Sequence, residues 1–119
     1  MNRIVSAKGT AFRFTIPKDF DPVRHFGESI GIWVGSEPFR FRVRLDREVA
    51  AWSEGVRWHP KQKVTRGADG SIDLELPAGS FWEARRFVLS FGRHAKALSP
   101  PELVAKLKAE ARAMSGAYA

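Results

Sequence analysis

Two stretches of the chain alternate between apolar and polar residues, as a β-strand with one buried face does. The earlier one runs from Ala11 to Ile16, and the clearer one runs from Phe39 to Leu45. In the second stretch the apolar residues point to one face, while Arg40, Arg42 and Arg44 point to the other. Both stretches are predicted to be strands, and the arginines are predicted to lie on a face outside the core.

A hairpin is predicted later in the chain. Residues 67–70 form its turn, because aspartate and glycine tolerate the positive φ angles of tight turns. Residues 62–66 and 71–76 are the flanking strands, and residues 77–79, which include a proline and a glycine, are expected to break the second of them. A further short strand is predicted at residues 94–98.

Capping residues predict the helices. Asp21 precedes a proline and caps a short helix that stops at Gly27, and Asp46 caps a second helix that ends at Gly55. Two longer helices begin with capping boxes, in which a serine caps free amides and a glutamate three residues later reaches back. These boxes are Ser80 with Glu83 and Ser99 with Glu102. The tail at residues 115–119 is expected to fray.

The predicted order from residue 39 onward is strand, helix, strand, strand, helix, strand and a final helix. This is the order of a ferredoxin-like βαββαβ unit, an α+β fold with an antiparallel four-stranded sheet and both helices on one face. Residues 37–119 are therefore predicted to form this domain with its C-terminal helix. Residues 1–36 are predicted to be a linker with one strand and one short helix.

Composition narrows the class of protein. The chain has no cysteine, which excludes disulfides, thiolate metal sites and thiol nucleophiles. No apolar run approaches the ~20 residues that span a bilayer, and no secretory signal is visible, so a cytoplasmic protein without a membrane partner is expected. The net charge of +7 favours a polyanion partner. A solvated, arginine-rich surface would give the same balance.

No motif supports an enzyme. His25, His59 and His94 lack the spacing of a zinc site. The chain has no phosphate-binding loop, dinucleotide fingerprint or nucleophile elbow. Asp73 and Glu75 are predicted on an exposed strand face, without the burial that raises a carboxyl pKa for acid catalysis. We therefore expect a non-enzymatic protein that uses no metal and no cofactor.

The first candidate nucleic-acid site is the ladder of Arg40, Arg42 and Arg44. These side chains would stand about 6–7 Å apart on the open sheet face, near the phosphate repeat of a nucleic-acid strand. A ferredoxin-like sheet places the first strand beside the third, so Asp73 and Glu75 would share that face. Cross-strand ion pairs would then neutralise the ladder, and this interpretation is favoured.

The second candidate is a basic cluster around an aromatic ring. It consists of Arg57, Lys61, Lys63 and Arg66, interleaved with Trp58. Cations that hold phosphates while a tryptophan stacks on a base would suit single-stranded nucleic acid. A solvated loop with a half-buried tryptophan is the slightly favoured alternative.

Four segments occur in a characteristic order: Arg57–Gln62, Asp69–Ser71, Leu89–Gly92 and Ala97–Leu103. Together they resemble the C-terminal extension (WCX) domain of the bacterial WYL-domain transcriptional regulators. The upstream segment Phe14–Asp21 is similar to the linker that enters that extension. The likeness covers nearly the whole chain, and the ordered set gives it more specificity than any one segment.

The resemblance implies a ferredoxin-like extension, in agreement with the element order. In this family a winged helix-turn-helix domain binds promoter DNA, and a WYL domain senses an effector, which is single-stranded DNA in members of the DNA damage response. The extension pairs subunits and can help to form the effector cleft. The first two domains are missing here, so the chain is expected to be a fragment whose residues 1–36 include the end of the WYL domain.

We therefore expect a C-terminal dimerisation and effector-coupling module of a DNA-binding regulator. Its expected partners are a second copy of the chain, the WYL domain of the same regulator and a single-stranded DNA effector. A stand-alone module that binds single-stranded nucleic acid is the alternative. A small enzyme or metabolite-binding domain is the third hypothesis, and it would need a pocket with convergent polar groups.

Overall fold

The computed structural model describes residues 4–31 and 38–119. The elements in chain order are α1 (Pro22–Phe26), β1 (Phe39–Leu45), α2 (Arg47–Ser53), β2 (Lys63–Arg66), β3 (Ile72–Ala78), α3 (Phe81–Leu89), a 3-10 turn (Gly92–His94), β4 (Ala95–Ser99) and α4 (Pro101–Ala117). The strands form one sheet in the order β2-β3-β1-β4, and each neighbouring pair is antiparallel. This arrangement confirms the ferredoxin-like α+β fold.

One face of the sheet forms the core together with the helices. Every second residue of β1 and β3 is buried there, because side chains alternate across a strand. The buried apolar residues of the strands are Phe41, Val43, Leu45, Ile72, Leu74, Leu76, Ala78 and Ala97. Val49 and Ala50 of α2, Ala84 and Val88 of α3 and Leu103 of α4 complete the same cluster. All three helices therefore cover a single face of the sheet.

The opposite face of the sheet, called the open face below, carries polar side chains. The register of the strands places on it Arg40, Arg42 and Arg44 of β1, Lys63 and Thr65 of β2, Asp73, Glu75 and Pro77 of β3, and Lys96 and Ser99 of β4. Pro77 is the exception among them, because it is apolar and fully buried. The three arginines are exposed, whereas their apolar neighbours on β1 are buried. The alternation predicted for this strand is thus confirmed.

Most of the predicted turns and caps are also confirmed. Gly70 has a φ of 84° in the turn between β2 and β3, a backbone conformation that glycine adopts without strain. The Asp21 side chain accepts hydrogen bonds at the start of α1, and the Asp46 side chain does so at the start of α2. These short carboxylates satisfy amides that have no partner within the helix.

One predicted strand is wrong. Residues 11–16 form no strand and are exposed throughout. Phe12 and Phe14 are 93% and 87% exposed. The alternating pattern alone does not make a strand, because the backbone also needs a neighbouring strand to bind and the apolar side chains need a surface to cover them.

Three predicted ends of elements are also corrected. β3 does not stop before residue 77, because Pro77 still pairs with Arg40 of β1. The pairing of β3 with β2 ends at Glu75. The proline, which has no amide hydrogen, therefore lies beyond the hydrogen bonds between β2 and β3 and does not interrupt them. Pro100 rather than Ser99 is the N-cap residue of α4, so the second capping box does not form. The tail does not fray at residue 115, because α4 continues to Ala117.

Candidate nucleic-acid interface

Five cations and two carboxylates share the open face. The cations are Arg40, Arg42, Arg44, Lys63 and Lys96, and the carboxylates are Asp73 and Glu75. Both carboxylates lie on β3, between the arginine ladder of β1 and the lysine of β2. The face therefore keeps an excess of positive charge, and Asp69 in the adjoining turn is the acidic group that lies near its Arg44 end.

The ladder is paired across the strands, as the favoured sequence interpretation predicted. Arg44 forms two hydrogen bonds with Asp73, from Nε to Oδ1 at 2.7 Å and from Nη2 to Oδ2 at 2.9 Å. Arg42 lies 3.5 Å from the same carboxylate. Arg40 Nε donates to Glu75 Oε1 at 2.6 Å, and Lys63 lies 3.9 Å from that oxygen. Each carboxylate thus serves two cations.

These contacts keep both carboxylates ionised. The hydrogen bond from Arg44 lowers the pKa of Asp73 below its ordinary value, and the bond from Arg40 does the same for the pKa of Glu75. Neither group has the raised pKa that general acid catalysis needs. The open face therefore offers fixed charges and hydrogen-bond donors, which suit the binding of an anion better than the transfer of a proton.

The structure does not gather the second predicted cluster into one site. Lys63 belongs to the open face, whereas Arg66 lies on the helix side of β2 and pairs with Glu54. Lys61 pairs with Glu28 of the linker. Arg57 Nη2 is 3.5 Å from the carbonyl oxygen of Pro60.

Trp58 is separated from the ladder by the sheet. Its ring meets Phe87 edge to face at a centroid distance of 5.6 Å and Phe91 at 6.1 Å. Phe87 also contacts Phe41 of the core. The Trp58 ring therefore packs in the helix layer, on the other side of the sheet from Arg40, Arg42 and Arg44.

Three side chains contact residues 27–31, which belong to the segment predicted to be a linker and called the linker below. Glu83 of α3 is only 7% exposed, and its carboxylate accepts hydrogen bonds from the amides of Gly31 and Gly79, each at 2.9 Å. His59 Nε2 lies 2.8 Å from the carbonyl oxygen of Gly27. Lys61 pairs with Glu28. We call these the linker contacts.

Lys61 connects the linker contacts to the open face. While its ammonium group pairs with Glu28, its carbonyl oxygen accepts a hydrogen bond from Arg40 Nη2 at 3.1 Å. Arg40 also binds Glu75 on the open face. A continuous series of polar contacts therefore runs from the open face through Arg40 and Lys61 to the linker.

The three histidines do not come together. His59 Nδ1 accepts from the amide of Lys61 at 3.0 Å, so its Nε2 carries the proton that is donated to Gly27. His94 Nδ1 binds Asp46 at 2.8 Å, a contact that lowers the pKa of that carboxyl. His25 contacts two phenylalanine rings. Within residues 4–31 and 38–119, no group of acidic or histidine side chains has the arrangement of a metal site.

An open cleft lies between α1 and the domain. Its polar lining residues are Asp19, Asp21, Arg24, His25, Glu28 and Ser29. Asp21 caps α1, and the carboxylate of Glu28 is engaged by Lys61, which lowers its pKa. Asp21 and Glu28 therefore have structural roles, and the lowered pKa of Glu28 does not suit acid catalysis.

Two functional features are missing from the sequence interpretation. The linker contacts join residues 52 positions apart, for Gly31 and Glu83, and 32 positions apart, for Gly27 and His59. No local sequence pattern indicates contacts between residues so far apart, and the pattern around Glu83 predicts only a capping box. Lys96 could have been found, because the alternation of Ala95, Lys96 and Ala97 places the lysine on the face opposite the two alanines, one half-buried and one buried.

The fold and the open face together define a ferredoxin-like domain whose sheet has one side packed against helices and a second side that carries exposed arginines. The family model of the WCX domain matches residues 37–115. The chain therefore belongs to the WCX domain family, whose members are C-terminal domains of WYL-type regulators and form a regulatory rather than an enzymatic family. A comparison with curated proteins gives no match.

None of the helices among the described residues combines the length and the apolar character that crossing a bilayer requires. The longest is α4, with 17 residues.

Proposed function

We propose that this chain is the C-terminal dimerisation and effector-coupling module of a WYL-family, DNA-binding transcriptional regulator. Its open face helps to bind a single-stranded DNA effector, and its linker transmits that event to the WYL domain of the same regulator. Promoter DNA is bound by a winged-helix domain of that regulator. This role follows the family membership, and the arrangement of the described residues supports it.

The position of Lys61 carries the proposal. An anion that binds Arg40 competes with its two present acceptors, Glu75 and the carbonyl oxygen of Lys61. Lys61 in turn pairs with Glu28, next to Gly27 in the linker. Loss of the Arg40 contact would release the backbone of Lys61, whose ammonium group holds Glu28, so effector binding and linker attachment are coupled through Lys61. Coupling of this kind is reciprocal, so the state of the linker also changes the affinity of the open face.

The exposed N-terminal segment supports pairing of two copies. Phe12, Phe14 and Ile16 are 93%, 87% and 62% exposed, although each is large and apolar. Water-exposed apolar side chains in such a row favour burial against another surface. Exchange of this segment between two copies would bury them in a symmetric dimer, the commonest form of homo-oligomer.

Light scattering at micromolar protein concentration tests the pairing. We expect a dimer that is weakened by the double substitution Phe12→Ser and Phe14→Ser. Val23→Ser is the matched control, because Val23 is also exposed but lies in α1. A strict monomer of the unaltered protein would contradict the dimerisation role of this chain.

Hydrogen exchange of the linker amides tests the coupling. We expect a saturating oligothymidine to increase exchange at residues 27–31, because Arg40 leaves the Lys61 carbonyl when it binds phosphate. Arg40→Gln should abolish this response. Arg42→Gln removes a charge from the same face but keeps the bond between Arg40 and Lys61, so the response should persist. Equal responses of both variants would contradict coupling through Arg40.

The charge of the open face also favours a second candidate function, a stand-alone module that binds single-stranded nucleic acid. In that case the chain binds oligothymidine as a monomer, and oligothymidine does not change the exchange of its linker. Affinity should fall steeply with salt through counterion release under either function. The oligomeric state and the linker response therefore separate the two, whereas the salt dependence does not.

A further inference from the structure

We infer that the open face binds a single-stranded nucleic acid through its phosphates, without reading its bases, and that Asp73 is an internal competitor that limits the affinity. This inference rests on the proposed function, because it specifies how the open face recognises the effector. Three features carry it: the geometry of the ladder, the absence of aromatic side chains and the sharing of one carboxylate.

The ladder has the geometry of a linear phosphate site. Arg40, Arg42 and Arg44 occupy alternate positions of one strand, about 6–7 Å apart. Lys96 lies directly opposite Arg44 on the neighbouring strand. The cations therefore form a narrow band along β1, which suits one extended phosphodiester chain that can follow a flat surface.

None of the strand residues that the structure places on the open face is aromatic. Single-stranded nucleic acids are held in sequence-tolerant sites by stacking on aromatic rings as well as by cations. The nearest candidate from the sequence, Trp58, packs on the other side of the sheet against Phe87 and Phe91. The strand residues of the open face therefore offer phosphate contacts, which carry no information on sequence.

Asp73 occupies the place where a phosphate would bind. Its two carboxylate oxygens bind Arg44 at 2.7 and 2.9 Å in the bidentate geometry that guanidinium groups also use for phosphate. Arg42 lies 3.5 Å from the same group. A phosphate that binds these two arginines must displace Asp73 or approach against its charge. Removal of this charge should therefore strengthen binding.

The side-chain exposures fit such an exchange of partners. Arg42 and Arg44 have about half of their side-chain surface exposed, at 51% and 50%, whereas Asp73 is 15% exposed. The guanidinium groups can therefore reach a ligand without unfolding of the sheet, while the carboxylate stays behind them. Exposed ion pairs of this kind contribute little to stability, so their loss on binding has a small cost.

Fluorescence anisotropy with short labelled oligonucleotides tests the inference on the full chain. The probes are oligothymidine, oligoadenosine, a phosphodiester chain without bases, and a duplex. We expect the first three to bind within about two-fold of one another, because phosphate contacts do not distinguish bases. The duplex should bind more weakly. With about three phosphates neutralised, the slope of log affinity against log salt should be near −2 for the single strands.

Two variants with matched controls locate the site. Asp73→Asn should tighten binding by about two- to five-fold, the range expected from freeing an exposed ion pair. Arg42→Gln should weaken binding and make the salt slope shallower by about 0.7. The controls are Glu110→Gln and Arg112→Gln, which change the net charge by the same amounts on α4, in the helix layer on the other side of the sheet. They should leave affinity within about two-fold, as expected of distant charges screened by salt.

The outcomes separate this inference from the proposed function. Tight binding of oligothymidine with weak binding of the chain without bases would show that bases are recognised and would overturn the inference alone. A preference for the duplex, or an unchanged affinity of the Asp73→Asn variant, would also overturn this inference and leave the proposed function in place. If no single strand binds at low salt, the effector role in the proposed function also fails.

Discussion

The two faces of one sheet have opposite properties although the same strands build both. On the helix side, Phe41, Val43 and Leu74 are almost completely buried. On the open face, Arg42 and Arg44 stand on the same β1 strand and are half exposed. The alternation of side chains along a strand therefore divides stability and recognition between two layers separated only by the backbone. The predictions below test this division of roles.

The largest expected effect comes from the buried side. Leu74→Ala removes a side chain that is 1% exposed, and we expect a loss of about 2–5 kcal/mol in the free energy of unfolding because a cavity remains. Val64→Ala is the control, since Val64 is the register partner of Leu74 on the edge strand β2 and is 39% exposed. It should cost about 0.5 kcal/mol. Chemical denaturation measures both, and equal losses would show that burial does not set the cost of a substitution on the helix side.

A carboxylate should also matter more on the helix side than on the open face. Glu83→Ala leaves the amides of Gly31 and Gly79 without their acceptor, and we expect a loss of about 2–3 kcal/mol. Asp73→Ala breaks solvent-exposed ion pairs and should cost less than about 1 kcal/mol. Urea denaturation of both variants compares them. Glu102→Ala controls for the loss of an acidic residue in the first turn of a helix.

The smallest effect is the pH dependence of the open face. The pKa of Asp73 is lowered in the folded state by Arg44, so its ion pairing stabilises the fold above the unfolded value of 3.8 and is lost as the pH falls through the folded value. Arg44→Gln should flatten the fall in stability across this acidic range. Denaturation midpoints measured at a series of pH values check this. An unchanged pH profile would show that the ion pair adds nothing to stability.

The sequence predicted the fold well because its signals are local. The strict alternation of Phe39 to Leu45, the glycine turn around Gly70 and the Asp46 cap each depend on residues close in the chain, and the element order then limits the topology. The predictions failed where the structure of a segment depends on a partner that is distant in sequence. Residues 11–16 alternate between apolar and polar side chains as a strand does, but they have no neighbouring strand.

For the candidate site, the opposite charges predicted on neighbouring strands indicated that Asp73 and Glu75 would form ion pairs with the arginine ladder. They did not indicate that each carboxylate is shared between two cations. Trp58 and Lys61 are close in sequence, but this did not predict that the ring packs in the helix layer while the ammonium group pairs with Glu28 of the linker. Side-chain direction at the end of a loop is set by tertiary packing, here against Phe87 and Phe91.

The buried carboxylate of Glu83 has a practical consequence for cutting this protein into smaller pieces. The family match begins at residue 37, yet the amide that Glu83 binds belongs to Gly31, and His59 reaches back as far as Gly27. A shortened chain that started at residue 38 would leave one oxygen of the nearly buried Glu83 carboxylate without its donor and the Nε2 of the buried His59 without its acceptor. Such a piece should be less soluble and less stable than one that started before α1.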